Sequence, residues 1–374
     1  MNNSVMSWAE IDLGAIRSNV AGIRGLLSPE TILMAVVKAN AYGHGMLQVA
    51  RVCLEEGAAY LGVANPLEAL ELRKAGIDCP VLVLGYTPAD CADLMVENQV
   101  DVTVFDMETA LFLSQAAVRL NRLVQVHVKI DTGMGRIGLR PDQESIGMMV
   151  KMAELPGIIL QGLFSHLATA DDADKSFAYY QLQIFREFSN RIEEAGLLVP
   201  IKHLANSAAI MEMPETHFDM VRAGIITYGL YPSDEVDKSK LSLIPAMRLK
   251  SRITQVKCIP PGHSVSYGRT YVSQQATKVA TVPIGYADGY SRLLSNRGRA
   301  AIRGQIVPLI GRVCMDQCMF DVSALEQVEV GDEVILFGTQ QDGITADDLA
   351  HTLGTINYEI VCAPHSRIVR TYIE

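Results

Sequence analysis

The sequence predicts an α/β chain in two parts: an N-terminal (β/α)8 TIM-type barrel over residues 12–243, followed by a mostly antiparallel C-terminal β-domain over residues 244–374. Three observations lead there. The length, 374 residues, exceeds one ordinary domain and suits two. Up to residue 230, short β-branched or apolar runs alternate with helix-patterned stretches. After Pro245 the helical stretches nearly vanish, and apolar runs follow one another through turns such as Pro260-Pro261-Gly262.

Taken in order, residues 1–11 precede the barrel pattern, and 6–11 read as a strand that joins the C-terminal domain. Strands are expected at 31–38, 60–64, 81–84, 102–105, 123–130, 158–165, 201–205 and 220–223. Amphipathic helices are expected between them, at 46–56, 66–75, 107–120, 143–154 and 174–195. Two of these close on Gly76 and Gly196, residues suited to the left-handed position after a helix. Eight strands alternating with helices over ~200–250 residues indicate a (β/α)8 barrel. A doubly wound open sheet is the alternative, but no G-x-G-x-x-G follows the first strand. A segment rich in Ser, Asp, Lys and Pro, 231–245, reads as the linker. Beyond it, strands are expected at 247–258, 277–283, 300–309, 319–322, 333–337 and 366–372, with one helix at 345–353.

Composition narrows the function. Lys and Arg total 32 against 42 Asp and Glu, a net charge of −10, which argues against nucleic acid or an anionic membrane surface as partner. A hydrophobic fraction of 49% and a mean hydropathy of +0.18 indicate a large core rather than disorder. No apolar run approaches the ~18 residues of a membrane span. The start, Met1-Asn2-Asn3-Ser4, lacks the basic and apolar regions of a signal peptide, so a soluble, uncleaved cytoplasmic protein is expected. The seven cysteines are scattered, and although Cys314 and Cys318 are four apart, no partner cluster completes a metal site. They read as reduced thiols.

In a barrel of this kind, the C-terminal strand ends face the active site. Here those ends are rich in reactive groups: Lys38-Ala39-Asn40-Ala41-Tyr42-Gly43-His44-Gly45, then Lys129 through Arg136, Ser165-His166, Asn206-Ser207 and Arg222-Ala223-Gly224-Ile225. One lysine after a strand is commonly a solvated side chain; five such ends in succession are harder to dismiss. Lys38 follows an unbroken apolar run, so burial is expected to favour the neutral amine that Schiff-base chemistry needs. Ser207 with the Gly224 and Ile225 amides could cradle a phosphate. Together these features suggest pyridoxal 5′-phosphate, although an aldolase-type barrel would offer the same pair.

Six segments in order, AVVKANAYGHG, KIDTGMGRIG, MVRAGIITYGLYP, SYGRTY, GRVCMDQ and NYEIVC, together resemble the alanine racemase family, bacterial enzymes that use pyridoxal 5′-phosphate. The resemblance runs from Trp8 to Tyr372. It implies that Lys38 holds the cofactor and acts as one catalytic base, and that Tyr267, donated by a partner subunit, is the opposing base. Arg222 resembles the arginine that hydrogen-bonds the pyridine nitrogen, and His166 matches a cofactor-binding histidine between the cofactor face and the tyrosine. Tyr42, Asn206, Ser207, Gly224, Ile225 and Tyr358 match cofactor ligands, chiefly of its phosphate. Arg136 and the backbone at Met315 match the groups that bind the substrate carboxylate, and Lys129 matches a lysine often carbamylated to N6-carboxylysine. The implied assembly is a homodimer with shared active sites, racemising alanine to supply D-alanine for peptidoglycan.

The chemistry behind those roles is general. Racemisation removes the α-proton from one face and returns one to the other, which two bases on opposite faces accomplish without a swinging group. An arginine donates to a ring nitrogen without surrendering its proton, which leaves the ring a weaker electron sink than a pyridinium. Other residues have structural readings: His44 supporting its turn, Asp171 and Asp172 lining an entry or capping the next helix, Tyr286 narrowing a channel or packing, and Trp8 packing on the β-domain. Competing functions are a serine or broad-specificity racemase, a decarboxylase of the same fold and a non-catalytic binder of the cofactor.

Overall fold

The structure, a computed structural model, describes residues 5–374. The expectation that residues 1–4 carry no leader lies outside the described residues. The chain forms two compact units. One consists of Ile16–Ala41 and Met46–Leu243; the other consists of Ile244–Glu374 with the N-terminal segment up to Ala15 and the loop Tyr42–Gly45.

Strand β1 (Ser7–Asp12) belongs to the second unit. The first unit is built on β2 (Ile32–Val36), β3 (Tyr60–Val63), β4 (Val81–Val83), β5 (Asp101–Val104), β6 (Val124–Lys129), β7 (Ile158–Phe164), β8 (Ile201–His203) and β9 (Met220–Ala223). All are parallel, in the order β8-β7-β6-β5-β4-β3-β2-β9. Where β9 meets β8 no ladder forms, yet Asp219 N donates to Lys202 O and Arg222 N to Ala205 O, both at 3.1 Å, so the barrel is nearly closed. Runs such as Val81–Val83 are buried throughout, as strands covered on both faces require. Several of the intervening helices start on side-chain caps: Asp106 accepts from Thr109 N and Asp142 from Ser145 N. Gly196 follows the helix Ser176–Glu194 with φ +81°, the left-handed position foreseen for it.

All eight barrel strands lie where the apolar runs placed them, within three residues at either end. The shorter helices Ala92–Glu97 and Ser207–Glu212, and the longer Leu13–Gly25, were not foreseen. The first two are too short to show a periodic apolar stripe.

The second unit adds β10 (Met247–Arg252), β11 (Gln255–Ile259), β12 (Ser264–Val265), β13 (Tyr271–Val272), β14 (Thr277–Val282), β15 (Arg299–Ile302), β16 (Gln305–Pro308), β17 (Cys318–Asp321), β18 (Glu333–Phe337) and β19 (Val369–Ile373). Six form one sheet, β16-β15-β18-β10-β1-β19, in which only β1 and β19 are parallel; β11-β14-β17 form a second and β12-β13 a small hairpin. Segment 247–258, expected as one strand, breaks at Ile253-Thr254. Ile253 N donates to Asp332 O and Thr254 N to Thr281 O, which sends its halves into different sheets. Segment 300–309 likewise folds into the β15–β16 hairpin, turning at Arg303 and Gly304 with φ of +49° and +73°. A second helix, Asn357–Cys362, accompanies Ala346–Leu353 where one was expected. Trp8 is buried on β1, with the Arg252 guanidinium 5.3 Å from its ring centroid. No helix among the described residues is long and apolar enough to cross a membrane.

Candidate active site

Lys38 immediately follows β2 and opens a turn of unusual backbone. Ala39, Asn40, Ala41 and Tyr42 have φ of 52°, 54°, 54° and 51°, four consecutive non-glycine residues in the left-handed region. Each costs about 1–2 kcal/mol there, so surrounding bonds must hold the run. The Glu68 carboxylate accepts from Ala39 N at 2.8 Å and from Ala64 N at 2.7 Å. The Asn40 side chain accepts from Met46 N at 2.9 Å. Strain is thus concentrated directly after the lysine. Lys38 itself is half-buried rather than sealed from water, because it stands where the strand ends at the barrel mouth.

Arg222, on β9, is 5% exposed and held by five polar contacts. Nη1 donates to His203 O and lies against His203 Nδ1, both at 3.0 Å; Nη2 donates to Ser165 O at 2.8 Å and Leu204 O at 3.0 Å, with His166 Nδ1 at 3.3 Å. Burial and the Arg136 charge lower its pKa to about 9. Burial, and then the charges of Arg222, Arg136, Lys129 and Lys38, hold His166 neutral well below the usual imidazole range. Those five side chains therefore share one electrostatic neighbourhood.

Lys129 is buried at the end of β6, donating to Ile130 O at 2.8 Å, with Nζ 5.3 Å from the Phe164 ring centroid. Burial and the Arg222 charge lower its pKa to about 7. In the following loop, burial alone would raise the Asp131 pKa, but the Gly133 and Gly135 amides, donating at 2.9 and 3.1 Å, hold it below the usual carboxylate range. Arg136 is exposed in that loop.

After β8 and β9 the chain turns twice. Asn206 caps the helix Ser207–Glu212 by accepting from Ala209 N at 3.1 Å, and the Ser207 hydroxyl accepts from Gly224 N at 3.0 Å. Ile225 begins a 3-10 turn to Tyr228. Asn206, Ser207, Gly224 and Ile225 thus converge.

In the second unit, the rings of Tyr42 and Tyr358 lie 6.1 Å apart. Gly43, φ +83°, runs so close to the helix Asn357–Cys362 that an added Cβ would stand 2.2 Å from Val361 O. Tyr267 is 69% exposed at the tip of the β12–β13 hairpin. Around it Ser266, Gly268 and Arg269 have φ of 66°, 70° and 52°, and the Ser266 hydroxyl donates to Arg312 O at 2.6 Å. Met315 is 53% exposed, and its carbonyl accepts from Ala287 N at 3.0 Å.

Several secondary expectations are settled. His44 is buried, with Nδ1 2.9 Å from Tyr42 O, so it supports its turn. Asp171 and Asp172 do not cap the next helix, which starts at Ser176, where Asp174 accepts the amide at 2.9 Å. Tyr286 is exposed rather than packed. Sequence reasoning missed His127 and His203, which lie behind Arg222; the available signal was a histidine within each apolar strand.

The family description "Alanine racemase, N-terminal domain" matches residues 11–232, and "Alanine racemase, C-terminal domain" matches 246–372. The chain belongs to the alanine racemase family. It is 49% identical over 367 residues to the alanine racemase of Clostridium perfringens, covering 98% of this chain and 95% of that one, and 48% identical to the one from Methanococcus maripaludis. The alanine racemase structure from Clostridium difficile 630 superposes with a TM-score of 0.96 at 44% identity, covering 99% of this chain and 96% of that chain. One such structure is described as a complex with cycloserine.

Alanine racemases depend on pyridoxal 5′-phosphate, and the barrel's donors fit that group. A primary amine, Lys38, stands at a strand end, and the Ser207 hydroxyl with the Gly224 and Ile225 backbone suits a phosphate. Arg222 offers a cation that can donate to a ring nitrogen but not accept from it.

Proposed function

We infer that the protein interconverts L-alanine and D-alanine with pyridoxal 5′-phosphate. The reading rests chiefly on the agreement of both family domains, over nearly the whole chain, with one neighbourhood holding Lys38, Arg222, His166, Lys129 and Arg136. When bound, the cofactor supplies an electron-withdrawing ring that acidifies the substrate's α-proton.

The chain's own groups do the rest. Lys38 would hold the cofactor, and its amine would take or return the α-proton on its face. Arg222 would donate to the ring nitrogen and, without surrendering its proton, would leave the ring a weaker electron sink, which favours return of a proton over side reactions. Arg222 keeps the surroundings cationic, and His166, held neutral by burial and by that charge, adds no competing acid. Arg136 and the Met315 backbone bind the substrate carboxylate, and the Ser207, Gly224, Ile225, Tyr42 and Tyr358 groups hold the phosphate.

Tyr267, exposed on its strained hairpin, is the second base. It acts in a homodimer, where Tyr267 of the partner subunit serves the face opposite Lys38. The enzyme works in the cytoplasm and supplies D-alanine for peptidoglycan. Incubation with single L-amino acids tests the reading: D-alanine forms fastest, D-serine slowly, and lysine and arginine are returned unchanged. Release of carbon dioxide, or equal turnover of lysine and alanine, contradicts it.

A further inference from the structure

Inside the barrel, buried polar side chains form a single file that climbs from the first residues of β3 and β5 to Arg222. Tyr60 opens β3 and Asp101 opens β5, and the Tyr60 hydroxyl donates to the Asp101 carboxylate. His127 Nε2 lies 3.4 Å from the Tyr60 oxygen and 3.6 Å from Asp101 Oδ2. On its other side, His127 Nδ1 is 3.0 Å from His203 Nε2, and His203 Nδ1 is 3.0 Å from Arg222 Nη1. Both imidazoles are fully buried, and Asp101 is 5% exposed.

The donor sequence in this file follows from one fact: a guanidinium has protons to give and no lone pair to accept with. His203 Nδ1 must therefore be bare, and the ring is neutral with its proton on Nε2. That proton points at His127 Nδ1, which must then accept, so His127 also carries its proton on Nε2. His127 donates onward to the Tyr60 oxygen, and Tyr60 donates to Asp101. Every hydrogen bond runs in one direction, from a cation to a carboxylate. Burial and the Arg222 charge both hold His203 well below the usual imidazole range, consistent with its neutrality.

Arg222 needs such an arrangement. Its contacts are carbonyls and imidazoles, and the charged groups acting on it and on His166 from other strand ends are the cations Arg136, Lys129 and Lys38. The barrel also makes special room for the file. A Cβ on Gly162 would stand 2.0 Å from His127 Nδ1, and the β6–β7 register shifts between Val126 and His127. Phe164 stacks on His203, rings 4.6 Å apart and 9° from parallel, which fixes the plane of the imidazole.

We propose that Asp101 is the remote counter-charge of Arg222, coupled to it through two neutral imidazoles of fixed tautomer, His203 and His127. The four residues Asp101, Tyr60, His127 and His203 are positioning residues for the guanidinium. This rests on the reading of Arg222 as the group facing the cofactor ring, but the nitrogen NMR that tests it does not. A file in a low-dielectric interior polarises along its length, so loss of the terminal charge is felt at the far end.

The experiment is nitrogen NMR of histidine-labelled holoenzyme, with the two rings assigned by single substitution among the eight histidines. In the wild type, both rings carry one proton, on Nε2. Asp101→Asn shifts the His203 nitrogens although the two residues do not touch, Asp101→Glu restores them in part, and Gly162→Ala displaces the His127 signals. Asp101→Asn also lowers kcat by about tenfold with little change in KM, because the guanidinium faces the ring rather than the substrate. If Asp101→Asn fails to fold, Tyr60→Phe serves, and it too shifts both rings. A His203 proton on Nδ1, a doubly protonated ring, or His203 signals indifferent to Asp101 or Tyr60 overturns the proposal.

Discussion

The Ser207 hydroxyl accepts the Gly224 amide proton at 3.0 Å, across the one junction of the barrel that carries no ladder. The place proposed for the phosphate is therefore also the seam of the fold. Ser207→Ala removes one buried hydrogen bond from both, and is expected to cost about 1–2 kcal/mol of stability in urea unfolding of the cofactor-free protein. It should also weaken cofactor retention, measured by dialysis. A variant that retains the cofactor like the wild type would remove Ser207 from the cradle.

Borohydride treatment of the yellow holoenzyme should fix the cofactor on Lys38. Peptide mapping reads the result directly. Lys38→Ala should lack both the adduct and racemase activity, and an adduct on any other lysine would sink the assignment.

Lys129, with its pKa lowered to about 7 by burial and the Arg222 charge, is the lysine suited to react with carbon dioxide. A carbamate forms from the neutral amine, so at fixed carbon dioxide pressure its occupancy should climb as pH rises through about 7 and fall as the amine is protonated below it. Its negative charge would then sit among cations and could steady Arg136. Carbon NMR with labelled bicarbonate measures the occupancy. Lys129→Ala should lose the signal, and its activity should be partly rescued by short carboxylates. Absence of a carbamate signal at pH 8 would argue against the modification.

Much of this was legible in the sequence, for definite reasons. Buried parallel strands must be continuous apolar runs, so their ends, and with them Lys38, Lys129, His166, Ser207 and Arg222, could be located by reading where apolar character stops. The left-handed run after Lys38 left no such trace: Ala39 and Ala41 carry no glycine signature, and the run is held by Glu68, far along the chain. The break at Ile253-Thr254 was hidden because both halves of 247–258 are strand-like, and only Asp332 and Thr281, distant partners, divide them. The file behind Arg222 was illegible for the same reason. Tyr60, Asp101, His127 and His203 stand on four different strands, and only closure of the barrel brings them into line.

Mixing inactive chains tests the shared site. Under subunit exchange, Lys38→Ala and Tyr267→Ala chains should regain activity together, because one site of each mixed dimer carries neither lesion. With random equal mixing about a quarter of all sites recover. If both bases came from one chain, mixing would restore nothing.

The most direct measurement follows alanine in deuterium oxide, reading α-proton loss by NMR and handedness by chiral separation. The wild-type enzyme should turn either pure enantiomer into a racemic, α-deuterated mixture. Tyr267→Phe should lose racemisation yet still exchange the α-proton of one enantiomer, and Lys38→Ala supplied with a small amine should exchange that of the other. Two bases on opposite faces require this division. Return of L-alanine with its proton in place by the wild type, or exchange of both enantiomers by either variant, would contradict the assignment of Lys38 and Tyr267 as the two bases.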